Sequence, residues 1–250
     1  MFKITLSDVG LLTNSIPIIS EIIDEGVFKI DQNGMSLVSP DRAMISVIDF
    51  KILSSAFDSY TVDGETTIGL NLDNFAAVLK RVKSTDKITL ESTGKSNRLR
   101  IIIEGNSTRI FEIPVIDVNI EKPPIDQLNF SGQIEMASRV FEEGISDAEI
   151  IGDSVVLEAG PENFKMYAKG DISSAHLEMK KKDSDILKHT VQSPIKSQYP
   201  LEYLKKIIKA AKLSKNMVLE FGNNYPLRIT FKDIDKMQLS FILAPRVSEE

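Results

Sequence analysis

The largest cluster of like charge on one stretch of the chain is Lys205, Lys206, Lys209, Lys212 and Lys215, set against the single acid Glu202. Lys205, Lys209 and Lys212 follow i, i+4, i+7, the spacing that places side chains on one helical face. Such a face neutralises phosphates; it contacts backbone and reads no base sequence. A weaker counterpart lies earlier, at Lys80, Arg81 and Lys83. For either stretch alone a second reading stands, because lysine is a good helix former whose charge complements a helix C-terminus. Two such stretches in a chain of net charge −6 point to localised positive surface rather than to a generally basic binder.

Catalysis finds no comparable support. The two histidines, His176 and His189, fall in an expected strand and a polar loop, and no HExxH, phosphate loop or GxSxG motif occurs. The acid pairs Glu142-Glu143 and Asp183/Asp185 have no motif around them and read as solvated. There is no cysteine, hence no disulfide and no thiolate metal site. No catalytic residue, metal or cofactor is expected. No apolar run approaches the roughly 18 residues of a membrane span, and MFKITLSD lacks the form of a signal peptide. A soluble intracellular protein without membrane contact is expected. A hydrophobic content of 42% over 250 residues supports a real core in one large domain or two smaller ones.

The elements that must position these charges read mostly as strands. In the first half, strands are expected at Phe2–Leu6, Val27–Ile30, Met35–Val38, Met44–Phe50, Thr67–Leu70, Lys87–Glu91, Arg98–Glu104 and Thr108–Ile113. Asp31 to Gly34 and the residues around Gly94 and Gly105 mark turns. Ser7 is expected to cap a helix ending near Ile16, where Pro17 breaks it. A second helix runs from Leu72 to Lys83, with Leu72, Phe75, Leu79 and Val82 at helical spacing. The second half repeats the order. Its strands are Gln133–Met136, Ser154–Ala159, Asn163–Ala168, Ser174–Met179, Met217–Phe221, Leu227–Phe231 and Met237–Leu243. Its helices start at Ser138, as cap, and at Leu201, the latter reaching Lys212. Lys180 to Lys188 reads as an exposed loop.

The repetition extends to letters. LDNFAAVLKRVKSTDKITLE laid over LEYLKKIIKAAKLSKNMVLE superposes Leu72 on Leu201, Lys80 on Lys209, Lys83 on Lys212, Leu90 on Leu219 and Glu91 on Glu220 without a gap. Between the halves lies DVNIEKPPIDQLNF, where Pro123-Pro124 excludes a helix interior and a central strand. Ile120, Ile125, Leu128 and Phe130 give it more apolar weight than a solvated linker needs. The fold class is therefore α+β: two similar sheet-and-helix domains, residues 1–116 and 131–250, joined by a connector at 117–130. The C-terminal Leu243-Ala244-Pro245-Arg246-Val247, before Ser248-Glu249-Glu250, adds an apolar tail that could form a peptide-docking groove with the connector. Packing of the same side chains inside the protein is the competing reading.

The chain resembles the DNA sliding clamps of the proliferating cell nuclear antigen family, most closely the archaeal type. The residues that carry the resemblance are SPDRAMISVIDF around Asp41, RIFEIPVIDV before the connector, NNYPLRITF and the terminal LAPRV. It implies a ring of three subunits around duplex DNA, with helices lining the hole and sheets outside. It also implies no catalytic activity and a role in replication and repair as a processivity factor, nucleoid-associated if archaeal. Partners would be DNA polymerase, flap endonuclease, ligase and an ATP-driven clamp loader. The implied DNA-facing residues are Lys80, Lys83, Arg139, Lys205, Lys206, Lys209 and Lys212. The implied groove takes Pro40, Met44, Ile45 and Val47, then Ile120, Pro124 and Ile125, then Pro226, Ile242, Leu243, Ala244, Pro245 and Arg246. The implied joint pairs Thr108–Ile113 with Ser174–Met179 of the next subunit. It involves Arg81, Lys83, Arg109, Phe111, Glu143, Asp147, Ser174, His176 and Glu178, with Arg81, Lys83 and Arg109 facing Glu143 and Asp147.

The chain departs from the family pattern in three places. Its first helix has no Lys or Arg, Ala77 stands where a lysine is common, and Pro40 stands where relatives often carry Met. Weaker or lopsided DNA contact is expected from the first two. One subunit of a mixed ring, and a monomeric interaction adaptor that never encircles DNA, remain the alternatives.

Overall fold

Apolar and polar residues alternate along most strands, and that period of two decides which face each strand buries. The computed structural model describes residues 1–92 and 97–246. Gly94 and the stretch from Val247 to Glu250 lie outside the described residues. The chain forms two compact units, Met1–Pro123 with Asp233–Leu239, and Pro124–Lys232 with Ser240–Glu250.

Unit one runs β1 (Phe2–Leu6), α1 (Gly10–Thr13), α2 (Ile16–Ile19), β2 (Glu25–Asp31), β3 (Gly34–Pro40), β4 (Ser46–Leu53), β5 (Ser59–Val62), β6 (Thr66–Asn71), α3 (Leu72–Leu79), β7 (Lys87–Ser92), β8 (Arg98–Glu104) and β9 (Thr108–Pro114). One antiparallel sheet has the order β5-β1-β7-β8-β9. In the other, β4, β3, β2 and β6 pair in that order. The segment from the far end of the chain lies beside β4, where Leu53 N–H donates to the Lys236 carbonyl at 2.8 Å. α2 packs on α3, and Phe28 meets Phe75 edge-to-face at 6.1 Å in the core. Asn71 starts α3 by accepting the Asn74 N–H at 2.9 Å, and Leu72, Phe75, Ala76 and Leu79 are its buried stripe.

Unit two begins at Pro124 and runs β10 (Gly132–Ala137), α4 (Ser138–Ile151), β11 (Ser154–Ala159), β12 (Asn163–Lys169), β13 (Ser174–Lys180), β14 (Ile186–Val191), β15 (Ile195–Pro200), α5 (Leu201–Ile207), β16 (Asn216–Phe221) and β17 (Leu227–Asp233) as far as Lys232, and resumes at Ser240 within β18 (Met237–Leu243), whose first three residues belong to unit one. The sheet β13-β12-β11-β15 repeats β4-β3-β2-β6, and β14, β10, β16 and β17 repeat β5, β1, β7 and β8. α4 packs over β12 and β13. Gly144 allows the close approach, because a Cβ there would lie 2.9 Å from the Met166 side chain. Burying a ring such as Phe141 of α4, which is fully enclosed, is worth about 1.5–3 kcal/mol.

Several local expectations are corrected. The helix from Ser7 to Ile16 is two four-residue pieces, and Pro17 sits in the first turn of the second. A proline there lacks only an N–H that has no helical partner. Neither Ser7 nor Ser138 is a cap: α1 follows Val9, and Ser138 Oγ donates to the Ser214 carbonyl at 2.9 Å. β4 starts at Ser46, not Met44. α3 stops at Leu79, and α5 stops at Ile207, continuing as a 3-10 helix over Ile208–Leu213. The polar tract expected as a loop gives way to β14 at Ile186. β5 and β15 carried no expectation at all.

Candidate nucleic-acid and docking surfaces

In unit two the lysines ride on a segment held down by Leu201, Leu204, Ile207, Ile208 and Ala210, all buried. The change of helix type alters the expected stripe. A 3-10 helix has three residues per turn, so Lys209 and Lys212 stand one above the other. Lys205 instead pairs with Glu149 on α4. Lys206 lies 3.8 Å from Glu202 and 5.6 Å over the Tyr203 ring. Arg139 pairs with Asp185 at 2.7 Å. Arg139, Lys209, Lys212 and Lys215 line an open cleft of about 700 Å³ between the start of α4 and the 3-10 segment, with Glu142 the one acid in it. Four cations around one cleft suit a phosphate backbone.

Unit one offers less. α1 and α2 read GLLT and IPII and carry no charge, and α3 carries only Asp73. Lys80, Arg81 and Lys83 are exposed on the turn beyond α3 rather than on the helix expected to hold them. That turn is anchored by Asp86, whose buried carboxylate accepts from Lys83 N–H at 3.0 Å and from Arg109 Nη2 at 2.7 Å. Arg109 Nη1 also donates to the Arg81 carbonyl at 2.9 Å. Arg109 is thus engaged within its own unit, with Asp86 and the Arg81 carbonyl.

The docking residues fall into two groups. In unit one the carboxylate of Asp41 accepts N–H groups from Ala43, Ile45 and Ser46 at 3.3, 2.8 and 2.8 Å. This cage bends the chain after Pro40 and holds Met44 at φ 57°, a left-handed conformation costly for a side chain. Met44 is 68% exposed. It lines a pocket of about 290 Å³ with Ile23, Pro40, Val118 and Ile120, rimmed by Asp24, Glu25 and Glu121. Arg42 reaches Asp24 at 2.9 Å across that rim. Ile45, also exposed, and Val47 lie outside the pocket lining. The connector is seated by Gly69, whose carbonyl accepts Ile116 N–H at 2.9 Å; a Cβ at Gly69 would lie 2.3 Å from the Ile116 oxygen.

In unit two Arg228 fastens the later connector. It donates to the Ile125 carbonyl at 2.9 Å and stacks 4.7 Å over the Phe130 ring. Phe130 meets Tyr225 edge-to-face at 5.7 Å, and Tyr225 hydroxyl accepts Asn129 N–H at 3.2 Å. Tyr199, whose hydroxyl burial pushes well up, donates to the Tyr225 carbonyl at 2.7 Å. Pro124 is exposed, while Ile125, Pro226, Ala244 and Pro245 are partly exposed. Ile242 and Leu243 are buried, at 5% and 0% exposure, which corrects their placement among groove-lining side chains. Both lie at the end of β18. Asp41, Arg228, Tyr225 and Asp153, the ion-pair partner of Arg246, were not singled out from sequence. The aspartate of a Pro-Asp turn was the available signal for the first.

The joint residues lie on two edge strands. β9 ends the sheet β5-β1-β7-β8-β9, and β13 ends β13-β12-β11-β15. Their exposure alternates identically, with only the sixth residue buried in each, Ile113 and Met179. Phe111 is half-buried; Ser174, Glu143 and Asp147 are exposed. His176 lies 3.7 Å from Glu178, whose carboxyl is held below its usual range chiefly by the Asn163 side chain, with help from Lys165 and His176. Among the described residues no group of three or more His, Cys, Asp or Glu is placed to hold a metal, and no helix is long and apolar enough to cross a membrane.

Comparison with known proteins gives one answer over the whole length. Residues 1–122 match the family model of the proliferating cell nuclear antigen N-terminal domain, and residues 124–247 match that of its C-terminal domain. A DNA polymerase sliding clamp of Pyrococcus horikoshii is 33% identical over 248 residues, 99% of each chain. DNA polymerase sliding clamp 1 of Thermococcus kodakarensis is 32% identical over the same length, again 99% of each. The crystal structure of PCNA from Thermococcus kodakaraensis is similar with a TM-score of 0.92 at 25% identity, covering 98% of this chain and 100% of that one. With both domain models matched in order and relatives similar end to end, the chain belongs to the proliferating cell nuclear antigen family.

Proposed function

We propose that this chain is a sliding clamp subunit: three copies close head to tail into a ring that encircles duplex DNA inside the cell and tethers polymerase and other DNA enzymes. The observation that carries this reading is a pair of unused edges. In the internal repeat β9 corresponds to β18, and β13 corresponds to β4. The start of β18 lies beside β4 in unit one, whereas β9 and β13 each end a sheet. A second copy can repeat on β9 and β13 the pairing that the chain makes with β18 and β4. Such a contact uses two different surfaces, so it closes only in a ring, and it covers two edges that would otherwise template aggregation.

The chemistry fits a scaffold. Lys209, Lys212 and Lys215 would screen phosphates from the inside of the ring without reading bases, and the ring's topology rather than any contact would provide persistence. The pocket around Met44 and Ile120 and the connector face near Ile125 would each take apolar anchors of a docking peptide carried by polymerase, flap endonuclease, ligase or clamp loader. Light-scattering mass after size exclusion, at micromolar protein, tests the ring. A mass near three times 27.9 kDa is expected; a mass of one chain at every concentration contradicts the three-copy ring. A mixed ring is the second reading, favoured by the absence of any cation on α1 and α2. It predicts that trimer mass appears only when sister subunits are added.

A further inference from the structure

The cations of unit two stand beside acids drawn from other elements. Arg139 Nη2 donates to the Asp185 carboxylate at 2.7 Å, and Lys205 of α5 pairs with Glu149 of α4. Asp185 lies just before β14, in the short loop that follows β13. That loop is closed without the Asp185 side chain. The Asp183 carboxylate accepts Lys180 N–H at 2.8 Å, and the Asp183 carbonyl accepts Ile186 N–H at 3.0 Å. The Asp185 carbonyl fixes the loop to the start of α4 by accepting Ala137 N–H at 2.9 Å. The next residue, Ser138, donates its N–H to the Lys215 carbonyl at 2.9 Å. One stretch of backbone thus sets Asp185, Arg139 and Lys215 in place together.

Neither carboxylate is needed for the fold. α4 and α5 pack on each other, and buried residues such as Ile145, Ala148 and Leu204 hold them down. All four paired side chains are open to water, from 31% for Asp185 to 64% for Arg139. Ion pairs this exposed contribute little to stability. Beside a phosphate-binding surface the same charges weigh more. Each phosphate neutralised adds about 0.9 to the slope of log affinity against log salt. A cation held by a carboxylate must leave that partner before it neutralises a phosphate.

We infer that Asp185 and Glu149 are built-in counter-charges that limit how firmly this surface grips duplex DNA. This rests on the DNA reading above. Each acid holds its cation on the protein, so a phosphate contact at Arg139 or Lys205 must replace a bond already made. Phosphates passing this surface therefore meet shallower wells, and a ring that keeps its place by enclosure is left free to move along the duplex. Asp185 and Glu149 are positioning residues: they act through Arg139 and Lys205 and do not touch DNA.

The test titrates a short fluorescein-labelled duplex by anisotropy at several salt concentrations. Asp185→Asn removes the charge and keeps the shape. Its affinity at about 0.1 M salt is expected to rise roughly three- to tenfold, and its salt slope to steepen by roughly one. Glu149→Gln is expected to do the same, and the two gains to multiply. Made together with Arg139→Ala, Asp185→Asn is expected to give no gain over Arg139→Ala alone. A full gain there would mean that Asp185 acts through overall charge, which overturns the positioning role. Unchanged affinity and slope in Asp185→Asn and in Glu149→Gln, with duplex bound by the unaltered protein, overturns the inference and leaves the DNA reading standing. A duplex that neither the unaltered protein nor any variant binds at low salt overturns both.

Discussion

The two units share one topology and differ in what they leave open. β9 and β18 hold corresponding places, yet Ile110 in β9 is 51% exposed while its counterpart Leu239 in β18 is fully buried. The helices diverge as well. α1 and α2 are uncharged, whereas α5 and the 3-10 segment after it carry four lysines against one glutamate. A repeated ladder of backbone hydrogen bonds thus preserves the shape of both halves. Side chains then give one half an open edge at β9 and the other a positive surface. On the proposed reading the open edge joins copies, and the positive surface carries most of the contact with DNA.

Breaking the edge should have the largest effect. Ile110→Lys places a charge where the single chain leaves a side chain half in water, so folding is expected to survive. The trimer is not, and light scattering should report one chain's mass. The matching change at Leu239 should unfold the protein instead, since it buries an unpaired charge. A smaller effect follows from Asp86, which anchors both β9 and the turn bearing Lys80 to Lys83. Asp86→Ala is expected to cost about 2 kcal/mol in denaturant unfolding, the scale for losing hydrogen bonds to a charged group. Lys215 occupies the corresponding place in unit two and takes no such part. Asp86→Ala should therefore also weaken the trimer, by loosening β9.

Charge removal sharpens the comparison further. Replacing Lys212 and Lys215 with Ala is expected to shorten residence on DNA and to lower the salt slope of binding by roughly one for each phosphate no longer neutralised. Replacing Lys80 and Lys83 should change both less. Equal effects would mean that both units meet DNA alike. The smallest expected effect is a pH dependence at the tail. Arg246 holds the Asp153 carboxyl below its usual range. A depressed carboxylate stabilises the state that holds it, fully above the ordinary carboxylate value, and loses that contribution as pH falls through the lowered one. Protection of the Arg246 amide, which donates to the Gln198 carbonyl, should hold near neutrality and fade only in acid below the ordinary carboxylate range. Salt at neutral pH should weaken it sooner.

The duplication was legible because a helix followed by a strand leaves two periods in the letters, and Leu72, Phe75 and Leu79 repeat as Leu201, Leu204 and Ile208. What escaped notice shares a physical cause. β5 and β14 are edge strands stabilised by backbone pairing, and SYTV and ILKHTV alternate too weakly to show it. Charge spacing located Lys205 and Arg139 but not their partners, since Glu149 and Asp185 are far away in sequence. Asp41 looked like one more turn residue; only its three N–H contacts reveal that it sets Met44 in place. The burial of Ile242 and Leu243 was masked because a strand end and an apolar tail look alike as letters.

The central claim is topological, and retention on DNA tests it most directly. The protein is loaded with an archaeal clamp loader and ATP onto closed circular duplex, passed through a gel-filtration column in high salt, and the DNA is then cut once. A ring around the helix predicts that protein stays with the circle, because salt screens lysine contacts but not enclosure, and leaves when the ends are made. Equal release from circular and linear DNA would contradict the account and leave a protein that touches DNA without encircling it.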